Sequence, residues 1–182
     1  HDKDCSQNNG DETFGIELDM KKSLDFIGLR GLSLVCNAAY IHSRVRFEEG
    51  APERDRPLAG QSPYLVNAGL FYQHDDKGIS ASLLYNRIGK RIESVGVPMQ
   101  DQNEDIPDIY EMPRNSLDLT FSKKIGKAVE IKAGIQDMLN SKIEYKQFVK
   151  LTDQNGGKRE REQLVRSYRP GVDINVGVSL KF

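Results

Sequence analysis

The stretch VDINVGVSLKF at residues 172–182 carries the pattern on which the fold depends. Apolar residues occupy every second position from Val172 to Phe182, and the positions between them are polar or glycine. A period of two is typical of a β-strand, because successive side chains point to opposite faces of a sheet. The C-terminus is therefore predicted to be a strand with one apolar and one polar face.

The same alternation recurs earlier in the chain. The segments that show it are 14–20, 32–40, 64–72, 79–85, 117–121 and 129–135. Together with the C-terminus they predict about seven strands, most of them roughly 9–15 residues long, whereas strands of soluble sheets average about 5–6 residues. The chain is thus predicted to be all-β and antiparallel.

The links between these strands alternate in length. Short links are predicted near 24–30, 74–78 and 123–127, and long polar links at 48–60, 94–112 and 138–170. We expect the last long link to contain a hairpin that extends past the main sheet, with arms 142–150 and 161–168 and its tip at 154–158. Short turns at one end and long loops at the other are the layout of an outer-membrane β-barrel.

Composition agrees with that layout. The 182 residues carry a net charge of -1, with 26 Lys and Arg against 27 Asp and Glu, so nothing favours nucleic acid as a partner. The apolar share is 37%, below the usual value of about 45–50%. A barrel needs only one apolar face per strand. Periodicity alone leaves a soluble all-β binding module open, because a sandwich would use the same faces as its core.

The strand number indicates a larger parent protein. A single-chain bacterial barrel has an even number of strands, at least about 8, and must close. Seven strands predict the C-terminal part of a larger barrel, unless an eighth strand in 141–169 makes a small complete barrel for adhesion or anchoring. The start HDKDCSQNNGDE has neither Met nor a signal peptide. We therefore expect that a segment was removed or that the chain is a piece of something longer.

Three runs carry a family resemblance. They are RPLAGQSPYLVNAGLFYQHDDKGISASLLYNRIGKRI at 56–92, MPRNSLDLTFSKKIGKAVEIKAGIQDMLN at 112–140 and YRPGVDINVGVSLKF at 168–182. In order and spacing they resemble the last strands of TonB-dependent outer-membrane receptors, especially those of Bacteroidetes. The resemblance covers about residues 13–182 and leaves 1–12 as a polar leader or external loop.

The resemblance implies a role in active import across the outer membrane of a Gram-negative cell. In that family a barrel of about 22 strands encloses a plug, and a segment ahead of the plug couples to an energised inner-membrane complex. The imported substrates are siderophores, cobalamin, haem or glycans. The partners implied are outer-membrane lipid, the missing plug and remaining strands, the TonB complex and the barrel-assembly machinery. Phe182 matches the terminal aromatic residue that this machinery recognises.

No catalytic or metal-ligating pattern emerges from the sequence. His1, His42 and His74 lack neighbours with the spacing of a triad or zinc site. In the loop at 101–112, the first three ligand positions of a calcium loop are matched, but Ile106 and Met112 replace the required Gly and Glu. Irregular calcium binding by this external loop stays open. We expect no enzyme activity, no cofactor, no resident metal and no disulfide between Cys5 and Cys36.

Two sets of residues are predicted to mark the barrel's surfaces. Aromatic residues near strand ends are expected at the lipid headgroups, namely Tyr40, Tyr64, Tyr72, Tyr85 and Phe71. Charged residues on the polar positions are expected to line the lumen, namely Glu17, Lys21, Glu130 and Lys132. None of them is identified as a substrate ligand, so the binding residues are unknown at this stage.

Overall fold

A computed structural model describes residues 8–47, 55–97, 106–152 and 158–181. Over these ranges the chain forms eleven strands in two sheets, with one short 3-10 helix at Asp25–Ile27. Both sheets are antiparallel, which confirms the predicted all-β class. In the same ranges, no helix has the length and apolar character needed to cross a membrane.

The larger sheet has seven strands, in the order β1-β2-β3-β4-β7-β8-β11. Their bounds are Asn8–Ser23 (β1), Leu32–Phe47 (β2), Tyr64–His74 (β3), Ile79–Ile88 (β4), Arg114–Ile125 (β7), Val129–Gln136 (β8) and Asp173–Leu180 (β11). Each predicted strand falls within one of these seven, except the C-terminal one: it was predicted over 172–182, whereas β11 starts one residue after Val172 and ends at Leu180. Phe182, the predicted assembly signal, lies outside the described residues. β1 begins at Asn8, so it takes in part of the segment expected to be a leader.

The smaller sheet has the order β10-β9-β6-β5. Its strands are Arg91–Ser94 (β5), Ile109–Glu111 (β6), Ile143–Thr152 (β9) and Lys158–Tyr168 (β10). β9 and β10 confirm the two predicted hairpin arms. β5 and β6 were not predicted, because three or four residues are too few to display a period of two.

The connections are distributed as predicted. The turns β1–β2, β3–β4 and β7–β8 share one end of the larger sheet, here called the turn end: Gln73 N–H donates to Gly31 O, and Lys124 N–H donates to Gly78 O. All long connections leave the opposite end, here called the loop end. The smaller sheet is built from two of these connections: β5 and β6 lie between β4 and β7, and β9 and β10 lie between β8 and β11.

The larger sheet is a single layer. Among the described residues, the buried apolar side chains are Ile92 and Tyr145, which are 2% and 9% exposed. Both belong to the smaller sheet. The backbone of Ile92 is tied down by Gly60, whose N–H donates to the Ile92 carbonyl at 2.8 Å. A small core therefore forms at the loop end, while none of the described residues forms a second layer against either face of the larger sheet.

Candidate functional site

The register of the larger sheet collects the alternating apolar residues on one side, here called the apolar face. One cross-strand row runs through six consecutive strands and contains Leu34, Leu70, Leu83, Leu119, Ile135 and Ile174. A shift of one residue in any pairing would break this row, since it would move every side chain of that strand to the other face. Six strands are thus in register for one continuous apolar surface, and β1 joins it through Leu18 and Met20, which pair with Ala38 and Cys36 of β2.

The exposure of this face shows that the rest of the described chain does not cover it. At the β1 edge, Phe14 and Leu18 are 63% and 66% exposed, and at the β11 edge Ile174 and Val176 are 70% and 73% exposed. Large contiguous apolar patches are rare on soluble monomers and mark sites that contact a protein, a membrane or a ligand. The apolar face is therefore the first candidate functional surface.

The height of the apolar band can be measured on β7. Its apolar-face residues Leu117, Leu119 and Phe121 lie between Asn115 and Lys123, which are eight residues apart. At a rise of about 3.4 Å per residue the two bordering polar residues are about 27 Å apart along the strand, which is an upper limit for the band and corresponds to about 21 Å along the normal at the tilt of about 40° typical of barrels. That height is close to the apolar band of about 25 Å on outer-membrane barrels.

Polar and aromatic groups border the band at the loop end. Tyr40 of β2 pairs with Tyr64 of β3, and Arg87 of β4 pairs with Asn115 of β7. The Arg87 Nε donates to the Tyr64 hydroxyl at 3.3 Å. Tyr72 lies near the turn end of the same face. For Phe71 the expected position is wrong, because its partner Ser82 belongs to the opposite face.

The opposite side, here called the polar face, carries a ladder of amides. Asn86 donates to Asn67, Asn67 donates to Asn37, and Asn37 donates to Glu17 and Asp19 at 2.8 Å and 2.6 Å. All the N–H groups point towards β1, where the carboxylates end the chain of hydrogen bonds. Hydrogen bonds aligned in this way strengthen one another by polarisation. This half of the polar face is therefore built from a connected polar network.

The other strands continue the polar face with hydroxyls and charges. Ser80 bonds to Ser122 at 2.7 Å, and Ser82 bonds to Thr120 at 2.6 Å. The four charged residues predicted to share a polar surface, Glu17, Lys21, Glu130 and Lys132, all lie on this face. Lys132 and Glu130 form an ion pair at 3.3 Å. The polar face suits contact with water or with polar protein.

At the loop end, a lysine joins the two sheets. Lys90 follows β4 and places its ammonium 4.1 Å from the Tyr110 ring centre in β6 and 4.0 Å from the Phe148 ring centre in β9. The two rings meet edge to face, with centres 5.7 Å apart. Burial, and secondarily the carboxylate of Asp108, raise the pKa of Tyr110. The two rings contact the Lys90 ammonium, and the three residues Lys90, Tyr110 and Phe148 are here called the aromatic clamp.

The β9–β10 hairpin is held together by charges and aromatic rings. The Lys146 ammonium contacts the carboxylates of Glu162 at 2.5 Å and Glu144 at 3.5 Å, and the hydrogen bond with Glu162 is the main cause of the raised pKa of Lys146. The Arg166 guanidinium lies between the rings of Tyr145 and Tyr168, with distances of 4.2 Å and 5.6 Å to the ring centres. The two described arms of the hairpin are thus tied to each other by side-chain contacts at the loop end.

One carboxylate at this end has few partners. Asp137 follows β8 with φ at 50°, and its two carboxylate oxygens are buried without a hydrogen bond from the described residues. Its charge is balanced by Arg114, whose Nη1 lies 3.6 Å from Asp137 Oδ2. The backbone N–H of Asp137 donates to Asp118 at 2.8 Å. The pair connects the start of β7 to the end of β8.

The remaining sequence candidates form no reactive site in the described residues. His42 pairs with Phe14 on the apolar-face side of the loop end, and His74 ends β3, where its Nδ1 accepts the Lys77 N–H. Cys36 is a free thiol on the apolar face. Within the described ranges, no three His, Cys, Asp or Glu side chains come together to hold a metal ion. His1, Cys5 and positions 101–105 of the calcium-like loop lie outside those ranges.

Two functional candidates were missed by sequence reasoning. Arg87 continues the apolar phase of Ile79, Leu83 and Tyr85, so a charged residue at an apolar position was the available signal. Nothing in the local sequence indicates the role of Lys90, because the two aromatic residues that it contacts are distant in sequence.

Comparison with protein-family models, with curated proteins and with solved structures gave no match.

Proposed function

We propose that this chain forms the C-terminal wall and the loops of a TonB-dependent outer-membrane transporter that imports a scarce or bulky nutrient. The substrate class is a siderophore, cobalamin, haem or a glycan. The observation that carries the proposal is the single-layered antiparallel sheet, whose apolar face nothing in the described chain covers. In this function the apolar face contacts lipid, and the wall itself performs no chemistry.

Strand direction supports a larger barrel. Every neighbouring pair in the seven-stranded sheet is antiparallel, so its two edge strands, β1 and β11, run in the same direction. These edges cannot pair with each other in an antiparallel manner. An odd number of further strands is needed to close the sheet, and this brings the total to the even number found in bacterial barrels.

The second sheet disfavours the small complete barrel. That alternative needs an eighth wall strand in 141–169, but β9 and β10 pair with each other and β9 pairs with β6 in the smaller sheet. The soluble module needs a second layer over the apolar face, and within the described residues there is none.

In this function the two faces and the loop end have different roles. The polar face, with its amide ladder and charges, borders the lumen and the plug. The loop end, with the smaller sheet, faces outwards and helps to capture the substrate, after which a rearrangement of the plug opens the path. Energy reaches the plug from the TonB complex of the inner membrane.

Accessibility of neighbouring side chains tests the lipid contact. The test uses the purified product of the native reading frame, reconstituted in lipid, in a background with Cys5→Ala and Cys36→Ala. In this background Leu119→Cys and Thr120→Cys each receive a nitroxide label. We expect label 119 to collide with oxygen more than with a water-soluble nickel chelate, and label 120 to show the reverse, because the two side chains point to opposite faces. A label at 119 that is shielded from both reagents would instead indicate a dry soluble core.

The transport part of the proposal is tested separately. The native reading frame should encode a plug-like domain, and uptake of labelled siderophore, cobalamin, haem and oligosaccharide should be compared in cells with and without the TonB complex. We expect uptake of one class to depend on both the protein and the complex. A reading frame without a plug-like domain would sink the transporter proposal and leave the lipid contact standing.

A further inference from the structure

Arg87 carries a charge on the apolar face. It pairs with Val66 on β3 and Asn115 on β7, in the row that borders the apolar band at the loop end. Its Nη1 donates to Asn115 Oδ1 at 2.7 Å, and its Nε donates to the Tyr64 hydroxyl at 3.3 Å. The guanidinium is therefore held in a defined place at the edge of an apolar surface.

The partners of Arg87 in the described chain are neutral. Other arginines at the loop end have carboxylates: Arg44 contacts Asp55 and Arg46 contacts Glu12, each at 2.7 Å. No described carboxylate lies within 4.0 Å of Arg87 in the same way. Charged groups beside an apolar medium are costly unless an opposite charge accompanies them. Within the described residues the charge of Arg87 is therefore unbalanced, and an anion would balance it.

The free hydrogen-bond donors suit a tetrahedral oxyanion. A guanidinium has five N–H groups, and two of those on Arg87 are used by Tyr64 and Asn115. The Asn115 Oδ1 also accepts the Tyr85 hydroxyl at 2.9 Å, which orients the amide and leaves its NH₂ group without a partner among the described residues. Planar N–H pairs of arginine match the oxygens of phosphate in a bidentate manner.

We propose that Arg87, together with the Asn115 amide, binds the phosphate group of an anionic lipid headgroup at the loop-end border of the apolar face. The row below Arg87 contains Ala68, Tyr85 and Leu117, which provides an apolar surface for the acyl chains of the same molecule. A free phosphate ion would gain nothing from that surface. The proposal rests on the lipid contact of the proposed function and adds a headgroup site to it.

Native mass spectrometry can test this site on the purified product of the native reading frame in a neutral detergent. The probes are phosphatidylglycerol, diacylglycerol with the same acyl chains, and inorganic phosphate. Arg87→Gln is compared with Arg46→Gln. Arg46 lies on β2, on the same face of the larger sheet, and its charge is already paired with Glu12. We expect Arg87→Gln to weaken retention of phosphatidylglycerol by about tenfold, as loss of a charge-assisted contact would, and Arg46→Gln to leave it unchanged.

The other probes identify the source of the anion. Diacylglycerol should be retained weakly and equally by all three proteins, because it has no phosphate. Equal retention of phosphatidylglycerol by the wild type and Arg87→Gln would overturn the headgroup site, and so would binding of inorganic phosphate as tightly as of the lipid. A protein that needs no detergent would instead refute the lipid contact itself, so the two failures are distinguishable.

Discussion

The ammonium of Lys90 lies 4.0 Å from the centre of the Phe148 ring, although one residue follows a strand of the larger sheet and the other belongs to the smaller sheet. The Tyr110 ring lies at 4.1 Å from the same ammonium. A cation over two aromatic faces is attracted by both ring quadrupoles. Lys90 therefore ties β6 and β9 to the end of β4.

Replacing this lysine should loosen the smaller sheet. Lys90→Met keeps the length of the side chain and removes its charge, and we expect a loss of about 1–2 kcal/mol in the stability of the β9–β10 hairpin. Hydrogen exchange should rise at 143–152 and 158–168 and stay constant at 117–121. Lys127→Met, at an exposed position of the turn end, is the matched control, and an equal rise in that variant would refute the clamp.

The amide ladder of the polar face makes a second prediction. Asn67→Ala removes the acceptor of Asn86 and the donor to Asn37. We expect the free energy of unfolding to fall by about 1–2 kcal/mol, because two partly buried amides lose a partner. The measurement is the urea midpoint for loss of the folded form of the reconstituted protein. Asn175→Ala on the edge strand β11 should change the midpoint little, since its amide has no hydrogen bond within the described residues.

The β1–β2 turn distinguishes two glycines with similar backbone angles. Gly28 and Gly31 have φ of 84° and 76°, but a Cβ on Gly28 would meet open space, whereas one on Gly31 would lie 2.1 Å from the carbonyl oxygen of Gln73. Gly28→Ala should lower the free energy of unfolding by about 1–2 kcal/mol, because alanine is strained in the left-handed backbone conformation of this position. Gly31→Ala should cost about 1–3 kcal/mol more, because β3 must move. Equal thermal stability of the two variants would contradict this close approach.

The same turn should respond to acid. A hydrogen bond from the Ser23 hydroxyl, and then one from the Gly31 N–H, lower the pKa of Asp25. Because the folded pKa is below the unfolded one, the stabilisation is present above about pH 4, the unfolded value, and is lost as the pH falls through the folded pKa. A nitroxide at Leu29→Cys should gain mobility in that range.

Asp25→Asn is the control for the acid response. It keeps an acceptor oxygen but does not titrate, so label mobility in this variant should be constant with pH. A parallel change in both proteins would assign the acid response to another group.

The apolar face makes a final prediction about charge. Leu119→Arg places a guanidinium in the central apolar row, and under the proposed lipid contact we expect it to lower the free energy of unfolding by about 2–4 kcal/mol, as lipid-facing arginines do in barrels. Thr120→Arg adds the same group to the polar face, one residue further along β7, and should be tolerated. The fraction of protein that assembles in the outer membrane, measured by its resistance to extraction and protease, should fall only for Leu119→Arg.

The sequence predicted the larger sheet because the information it requires is local. A period of two within 117–121 or 172–182 assigns each side chain to a face without knowledge of any neighbour. Polar turns such as 74–78 separate consecutive strands, so hairpin neighbours and the division into a turn end and a loop end also follow from local pattern. The arms of the β9–β10 hairpin were predictable for the same reason.

Only the tertiary structure decided which distant groups meet. β5 and β6 are too short to have a period, and they form because they pair with each other and β6 pairs with β9. Phe71 is not such a case, because the alternation within 64–72 already assigns it to the face opposite Tyr72, and its pairing with Ser82 agrees with that pattern. The contacts of Lys90 with Tyr110 and Phe148, and of Arg87 with Asn115, join segments that are separated by other elements in the chain. Such contacts depend on register and backbone path, which no local pattern encodes.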